Sequence, residues 1–176
     1  MKYFLLLFIL FSVGCATRPI PETSNPKKKI ENAYRLRDRG QPIKAETLIG
    51  EALAIFKKRD SRSGVAGAYI AFGDLYKSKS YQGAIDTLEN VHELKSYQDS
   101  ANYYQKASDV YYEEGNTFMA SWALMGMGDA YYSADNLEQA CESYDMAEVI
   151  SQEVSKNKRE LESGIRRFRD HVNCHE

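Results

Sequence analysis

A chain of 176 residues is long enough for one domain with a buried core, and its 43% hydrophobic and 27% charged residues are typical of a folded protein. The charges of the 23 basic and 25 acidic residues nearly cancel, which argues against strong electrostatic binding to nucleic acid or to acidic membranes. The 13 tyrosines are an unusual count. Because most of them fall at helical spacing, we interpret them as packing between helices rather than as a carbohydrate or base-stacking surface.

The N-terminus is typical of an export signal. Lys2 is followed by an apolar run over residues 3–13, which is too short to span a bilayer as a helix. The end of this run and the residues after it, Ser12-Val13-Gly14-Cys15-Ala16, resemble a bacterial lipobox, although that family usually has Leu where Ser12 stands. The resemblance implies a signal peptide over residues 1–14 and acylation of Cys15. The alternative is an ordinary secretory signal whose cleavage leaves a soluble protein.

Residues 16–28 contain three prolines among Thr, Ser and Asn and have no hydrophobic period, so they predict a flexible tether after Cys15. Fully extended at about 3.3 Å per residue, this tether would reach up to ~40 Å from the bilayer. By analogy with bacterial lipoproteins, Ala16 rather than an Asp after the cysteine implies an anchor in the outer membrane, facing the periplasm.

From residue 29 onwards the apolar residues follow helical spacing, and small residues recur at a fixed distance. Gly128 and Ala140 lie twelve positions apart, as do Ala33 and Ala45, and Gly73 lies 40 positions after Ala33. Small side chains at these places allow two helices to approach closely. The complete set of predicted packing residues is Ala33, Ala45, Ala52, Gly73, Ser100, Ala107, Gly128, Ala140 and Ala147.

This pattern resembles the tetratricopeptide repeat, in a form with longer helices than the commonest one. The resemblance implies an all-α fold, an α-solenoid of antiparallel helix pairs over residues 29–173. We expect about three repeats, at residues 29–58, 62–114 and 117–154, with a capping helix at about 155–172. Residues 80–95 interrupt the second repeat. They predict an extra short helix, the alternative being that both flanking helices are longer.

The sequence contains no catalytic signature, and it predicts neither an enzyme nor a bound cofactor. His171, Cys174 and His175 make too weak a set for a metal site, so no metal is predicted. Cys141 and Cys174 would come close together in an antiparallel helix pair, which makes a disulfide bond between them possible in an oxidising compartment. The alternative is a buried free Cys141 and a disordered Cys174.

In tetratricopeptide stacks the first helix of each pair lines a concave groove. The resemblance therefore implies that the groove residues are Ile70, Asp74, Lys77, Trp122, Met125, Asp129 and Tyr132. Trp122 would be an apolar anchor for a partner segment; the alternative is that it packs in the core or against the inserted helix.

We therefore expect a membrane-anchored scaffold that binds other proteins of the bacterial cell envelope, with no nucleic acid as partner and no small-molecule ligand. Two other functions remain open from the sequence. One is an accessory subunit of an envelope enzyme acting on cell-wall or lipid material. The other is a structural repeat that assembles with itself.

Overall fold

The computed structural model describes residues 19–85 and 96–174, and within these ranges the chain forms helices and turns without a strand, which confirms the all-α class. The helices are α1 (Pro26–Asp38), α2 (Pro42–Lys58), α3 (Arg62–Lys77), α4 (Lys79–Ile85), α5 (Tyr97–Glu113), α6 (Thr117–Ser133), α7 (Leu137–Ser151) and α8 (Lys158–Val172).

Local signals in the sequence explain where several helices begin and end. The side chains of Asn25, Asn116 and Asn136 accept hydrogen bonds from backbone amides in the first turns of α1, α6 and α7. Ser96 and Asp99 form a capping box at the start of α5. Gly115 follows α5 with φ +72°, the left-handed conformation that commonly ends a helix and that glycine adopts without strain.

The helices pack mainly on their neighbours in the chain. The most extensive contacts join α1 to α2, α3 to α5, α5 to α6 and α6 to α7, and further contacts join α1 to α3, α3 to α6 and α6 to α8. Helices α1, α3, α6 and α8 therefore lie side by side in one continuous row. The buried side chains fall into two clusters, one from α1 to α4 and one from α3 and α5 to α8, with different residues of α3 in each.

Close approach of the helices depends on the predicted small residues, all of which are buried. A Cβ atom at Gly73 would lie 2.8 Å from the ring of Tyr104, and one at Gly128 would lie 2.5 Å from the ring of Tyr144. Gly126 similarly contacts the other edge of the Tyr104 ring, where a Cβ atom would lie at 2.5 Å. Each of these rings occupies the space that a larger residue would take.

The tether prediction is wrong for residues 19–28. Helix α1 begins at Pro26, whose missing N–H is not needed at the first helical position, after the Asn25 cap. Before it, Ile20 packs against the N-terminal cluster, and the buried side chain of Asn32 donates a 3.1 Å hydrogen bond to the carbonyl oxygen of Pro21. The predicted signal peptide and Cys15 lie outside the described residues.

The described start of the insertion forms a separate short helix, α4 (Lys79–Ile85). Ser78 has an extended backbone between α3 and α4, so α3 is not lengthened into this region. Residues 86–95 lie outside the described ranges. At the other end of the chain α8 begins at Lys158, three residues later than expected, because a turn with Asn157 in the left-handed conformation precedes it.

Candidate functional site

Two carboxylates on the row of helices are held by tyrosines from neighbouring helices. Asp74 of α3 accepts a 2.7 Å hydrogen bond from the hydroxyl of Tyr34 in α1 at its Oδ2 atom, and another from the hydroxyl of Tyr104 in α5 at its Oδ1 atom. Both carboxylate oxygens therefore have partners within the chain. Charge-assisted bonds of this kind are stronger than bonds between neutral groups.

Asp129 of α6 repeats this arrangement one helix further along. Its Oδ1 atom accepts a 3.0 Å hydrogen bond from the hydroxyl of Tyr144 in α7, and its Oδ2 atom lies 3.1 Å from Nζ of Lys77 in α3. The same Lys77 ammonium lies 5.3 Å from the centre of the Tyr104 ring. These side chains connect α1, α3, α5, α6 and α7, and we call them the polar seam (Tyr34, Asp74, Lys77, Tyr104, Asp129, Tyr144).

The tyrosines of the polar seam remain protonated donors. Burial, followed by the neighbouring charge of Asp74, raises the pKa of Tyr34 and that of Tyr104 far above the ordinary value for a phenol. Burial and Asp129 raise the pKa of Tyr144 in the same way. The carboxylates of the polar seam thus serve as acceptors for neutral phenols that stay protonated near pH 7.

The structure divides the seven predicted groove residues into three groups. Ile70 and Met125 are only 7% and 8% exposed and belong to the core cluster that contains α6, so the prediction that they line an open groove is wrong. The Cε atom of Met125 lies 3.3 Å from the Cβ position at Gly164, because α8 packs over this part of α6. Three further residues are half-buried in the polar seam: Asp74, Lys77 and Asp129.

Trp122 and Tyr132 are the two predicted groove residues that remain on the surface. Trp122 is 41% exposed, which contradicts the alternative that it packs in the core. Tyr132 is 38% exposed, and its ring centre lies 5.5 Å from that of His171 in α8. Trp122 precedes Asp129 by seven residues, or two helical turns, so it lies on the same side of α6 as the polar seam.

Sequence reasoning missed the hydrogen bonds of the polar seam, although a signal was present. An Asp follows the packing glycine in both α3 and α6, and a Tyr stands four residues after the next small residue in both α5 and α7. Buried serines were also missed as donors. Ser100 donates to the carbonyl oxygen of Gly73 at 2.7 Å, and Ser121 donates to that of Ala147 at 2.6 Å.

Cys141 and Cys174 form a disulfide bond with a Cα–Cα distance of 5.5 Å, as the first of the two alternatives predicted. The bond fastens the end of α8 to α7. Arg169 adds an ion pair at 2.6 Å with Asp145 and another at 2.6 Å with Glu148, both on α7. Helix α8 is thus held over α6 and α7 covalently as well as by its apolar face.

No group of three or more His, Cys, Asp or Glu side chains in residues 19–85 and 96–174 could hold a metal ion. No helix in the same ranges has the length and apolar character needed to cross a membrane. An open cleft of about 1220 Å³ lies between residues 19–24 and the helices α1 and α2, and its lining includes Lys29, Arg39 and Lys44.

Comparison with known proteins gives no further guide to this chain. No protein-family model matches the sequence. A comparison with curated proteins also finds no match.

Proposed function

We propose that this chain is a membrane-anchored adaptor of the tetratricopeptide type, which binds another protein of the bacterial cell envelope along α1, α3 and α6. The observation that carries the proposal is the exposure of Trp122, 41%, beside the polar seam. A large aromatic side chain beside a row of rigid helices is the kind of anchor that dominates protein interfaces. The 40-residue period of small residues and the contacts from α1 to α3, α3 to α6 and α6 to α8 support a repeat stack.

The disulfide bond between Cys141 and Cys174 supports the proposed location in the cell envelope, because such bonds persist mainly in oxidising compartments outside the cytosol. Acylation of Cys15 would supply the anchor. The test is incorporation of a labelled palmitate analogue in a bacterial host that acylates lipoproteins. We expect label in the full chain and none in the Cys15→Ser variant, and an unlabelled full chain would contradict the anchor.

Photocrosslinking tests the binding surface. A photoreactive amino acid at position 122 should capture a specific protein in cells. The matched control is position 149 on α7, where Val149 is 65% exposed but lies on a different helix. The same adducts at both positions, or none at position 122, would contradict the proposal. An adduct with the mass of two copies of this chain would indicate self-assembly instead.

A second variant separates binding from folding. Trp122 is 41% exposed, so Trp122→Ala should destabilise the fold by less than the about 3–5 kcal/mol that truncation of a fully buried Trp costs, and the variant should still fold, as circular dichroism would show. The same variant should lose co-purification of the captured protein. Unchanged co-purification would show that Trp122 is not the anchor.

A further inference from the structure

Charge is distributed very unevenly along this nearly neutral chain. Residues 19–62 contain eleven Lys and Arg against six Asp and Glu, whereas residues 63–153 contain four against fifteen. The first helix pair is therefore basic, and the middle of the chain is strongly acidic. The overall balance conceals two regions of opposite sign, so it does not decide how one end of the molecule interacts with an anionic surface.

Five exposed cations lie at one end of the first helix pair, and we call this group the basic end (Lys27, Lys28, Lys57, Lys58, Arg59). Lys29 of α1 forms an ion pair with Glu51 of α2, which fixes the alignment of the two antiparallel helices. From Glu51 the chain continues for about 9–12 Å, at 1.5 Å per residue, to the three cations at the end of α2. Lys27 and Lys28, at the start of α1, lie in the same direction from Lys29.

The two lysines at the start of α1, Lys27 and Lys28, lie where a positive charge is electrostatically unfavourable. The N-terminal end of a helix carries partial positive charge, so acidic side chains are favoured in the first turn and lysines are not. The first turn of α1 contains no acidic residue. Among the described residues, no ion pair involves any member of the basic end. The exposed acidic residues nearest to it in the sequence are Glu31 and Asp60.

The basic end also lies where the chain enters the domain. Pro26 begins α1, and Cys15 precedes it by eleven residues. If Cys15 is acylated, as the proposed function requires, the basic end is the part of the fold closest in the chain to the bilayer. Each Lys or Arg near an anionic membrane surface strengthens binding by a factor of about five.

We propose that the basic end docks on anionic lipid headgroups of the membrane that holds the chain, so that the first helix pair faces the bilayer. The acidic region from residue 63 to residue 153 is repelled by the same surface and extends away from it. This inference rests on the proposed anchor for its location. An anionic lipid surface is favoured over nucleic acid because the Cys141–Cys174 disulfide bond indicates an oxidising compartment.

The test is binding of the full chain to vesicles of phosphatidylcholine alone or with about one-third phosphatidylglycerol. The Cys15→Ser background is used throughout, so the result does not depend on acylation and is separate from the palmitate experiment. Residues 1–14 remain present in every variant, so any binding that they cause is common to all. We expect a preference of about tenfold or more for the anionic vesicles.

Two variants with equal loss of charge identify the responsible surface. In the first, all five residues of the basic end are replaced by Gln. In the second, five exposed cations elsewhere are replaced by Gln: Lys79, Lys156, Arg159, Arg166 and Arg167. The first variant should lose the preference for anionic vesicles, and the second should keep most of it. Helical content by circular dichroism checks that both variants fold.

Salt provides an independent measurement. Raising the salt concentration from about 0.1 M to about 1 M shortens the Debye length from about 10 Å to about 3 Å, so the preference should disappear. The proposal is overturned if the chain that carries only Cys15→Ser binds both kinds of vesicle equally. It is overturned too if the variant that lacks the basic end keeps its preference for the anionic vesicles. It is also overturned if the chain binds duplex DNA in a salt-dependent manner but shows no preference for phosphatidylglycerol.

Discussion

Replacing Gly128 with Ala tests the packing on which the whole row of helices depends. The new Cβ atom would lie 2.5 Å from Cε1 of Tyr144, a distance at which the ring must move. Tyr144 is fully buried, so it has no free space in which to move. Gly50→Ala in α2 is the matched control, because nothing lies within 4 Å of a Cβ atom there.

The expected magnitude follows from three contributions. Overpacking a buried ring costs about 1–3 kcal/mol. Displacement of the ring also weakens the 3.0 Å bond from the Tyr144 hydroxyl to Asp129, and a hydrogen bond to a charged group contributes about 1.5–3 kcal/mol. Replacing a helical Gly by Ala stabilises by about 1 kcal/mol, which offsets part of the loss. Gly128→Ala should therefore destabilise by about 1–4 kcal/mol.

The assay is thermal unfolding of the oxidised chain, followed by circular dichroism. For a chain of this length, 1 kcal/mol changes Tm by about 2–4 °C, so Gly128→Ala should melt several degrees lower than the unsubstituted chain. Gly50→Ala should melt slightly higher, and Gly128→Leu lower still. If Gly128→Ala melts as high as Gly50→Ala, Gly128 does not lie against Tyr144 and the packing argument is refuted.

Two further predictions concern the disulfide bond and the buried tyrosines. Replacing Cys141 and Cys174 together by Ser opens a loop with a sequence separation of 33 and should lower the free energy of unfolding by about 3–4 kcal/mol; equal stability with and without reductant would contradict the bond. The raised pKa values of Tyr34, Tyr104 and Tyr144 mean that their phenols stay protonated when the same groups in the unfolded chain ionise, so stability should fall as pH rises above 10, the ordinary tyrosine pKa. Tyrosinate absorbance checks this: complete ionisation of every tyrosine near pH 10 without unfolding would contradict it.

The positions of close helix contact could be predicted from the sequence because few residues fit them. Gly73 and Gly128 stand where any Cβ atom would meet a tyrosine ring, so sterics permit essentially only glycine there. Because so few residues are tolerated at these positions, small residues recur there at a fixed spacing that can be recognised in the sequence. The same spacing identified Ser100 and Ala140, both of which are fully buried.

The orientation of polar side chains was harder to predict. Asp74 and Asp129 were expected to face a partner, because the tetratricopeptide resemblance places them on the groove side of the first helix in each pair. A helical position gives the direction of a side chain but not its bonding partner. The tyrosine hydroxyls that bind both carboxylates come from other helices, so their distance depends on how the helices pack.

The start of α1 was missed for a different reason. Pro26 lies in a stretch with two other prolines and little apolar character, which favours a flexible segment, yet a proline directly after an Asn is also a typical helix start. The equivalent proline of α2, Pro42, begins a helix whose apolar periodicity continues directly after it. Lys27, Lys28 and Lys29 follow Pro26 and hide the apolar pattern of α1 for its first turn.

The polar seam has a consequence for how a partner would bind. Both oxygens of Asp74 and of Asp129 already have a donor within the chain, so a partner that paired with either carboxylate would share it with that donor or displace it, and a displaced donor would lose its acceptor. The exchange would gain little, so the energy of binding at this surface must come mainly from exposed aromatic area such as that of Trp122. Capture at position 122 should therefore depend weakly on salt, whereas docking of the basic end on anionic lipid should depend on it strongly.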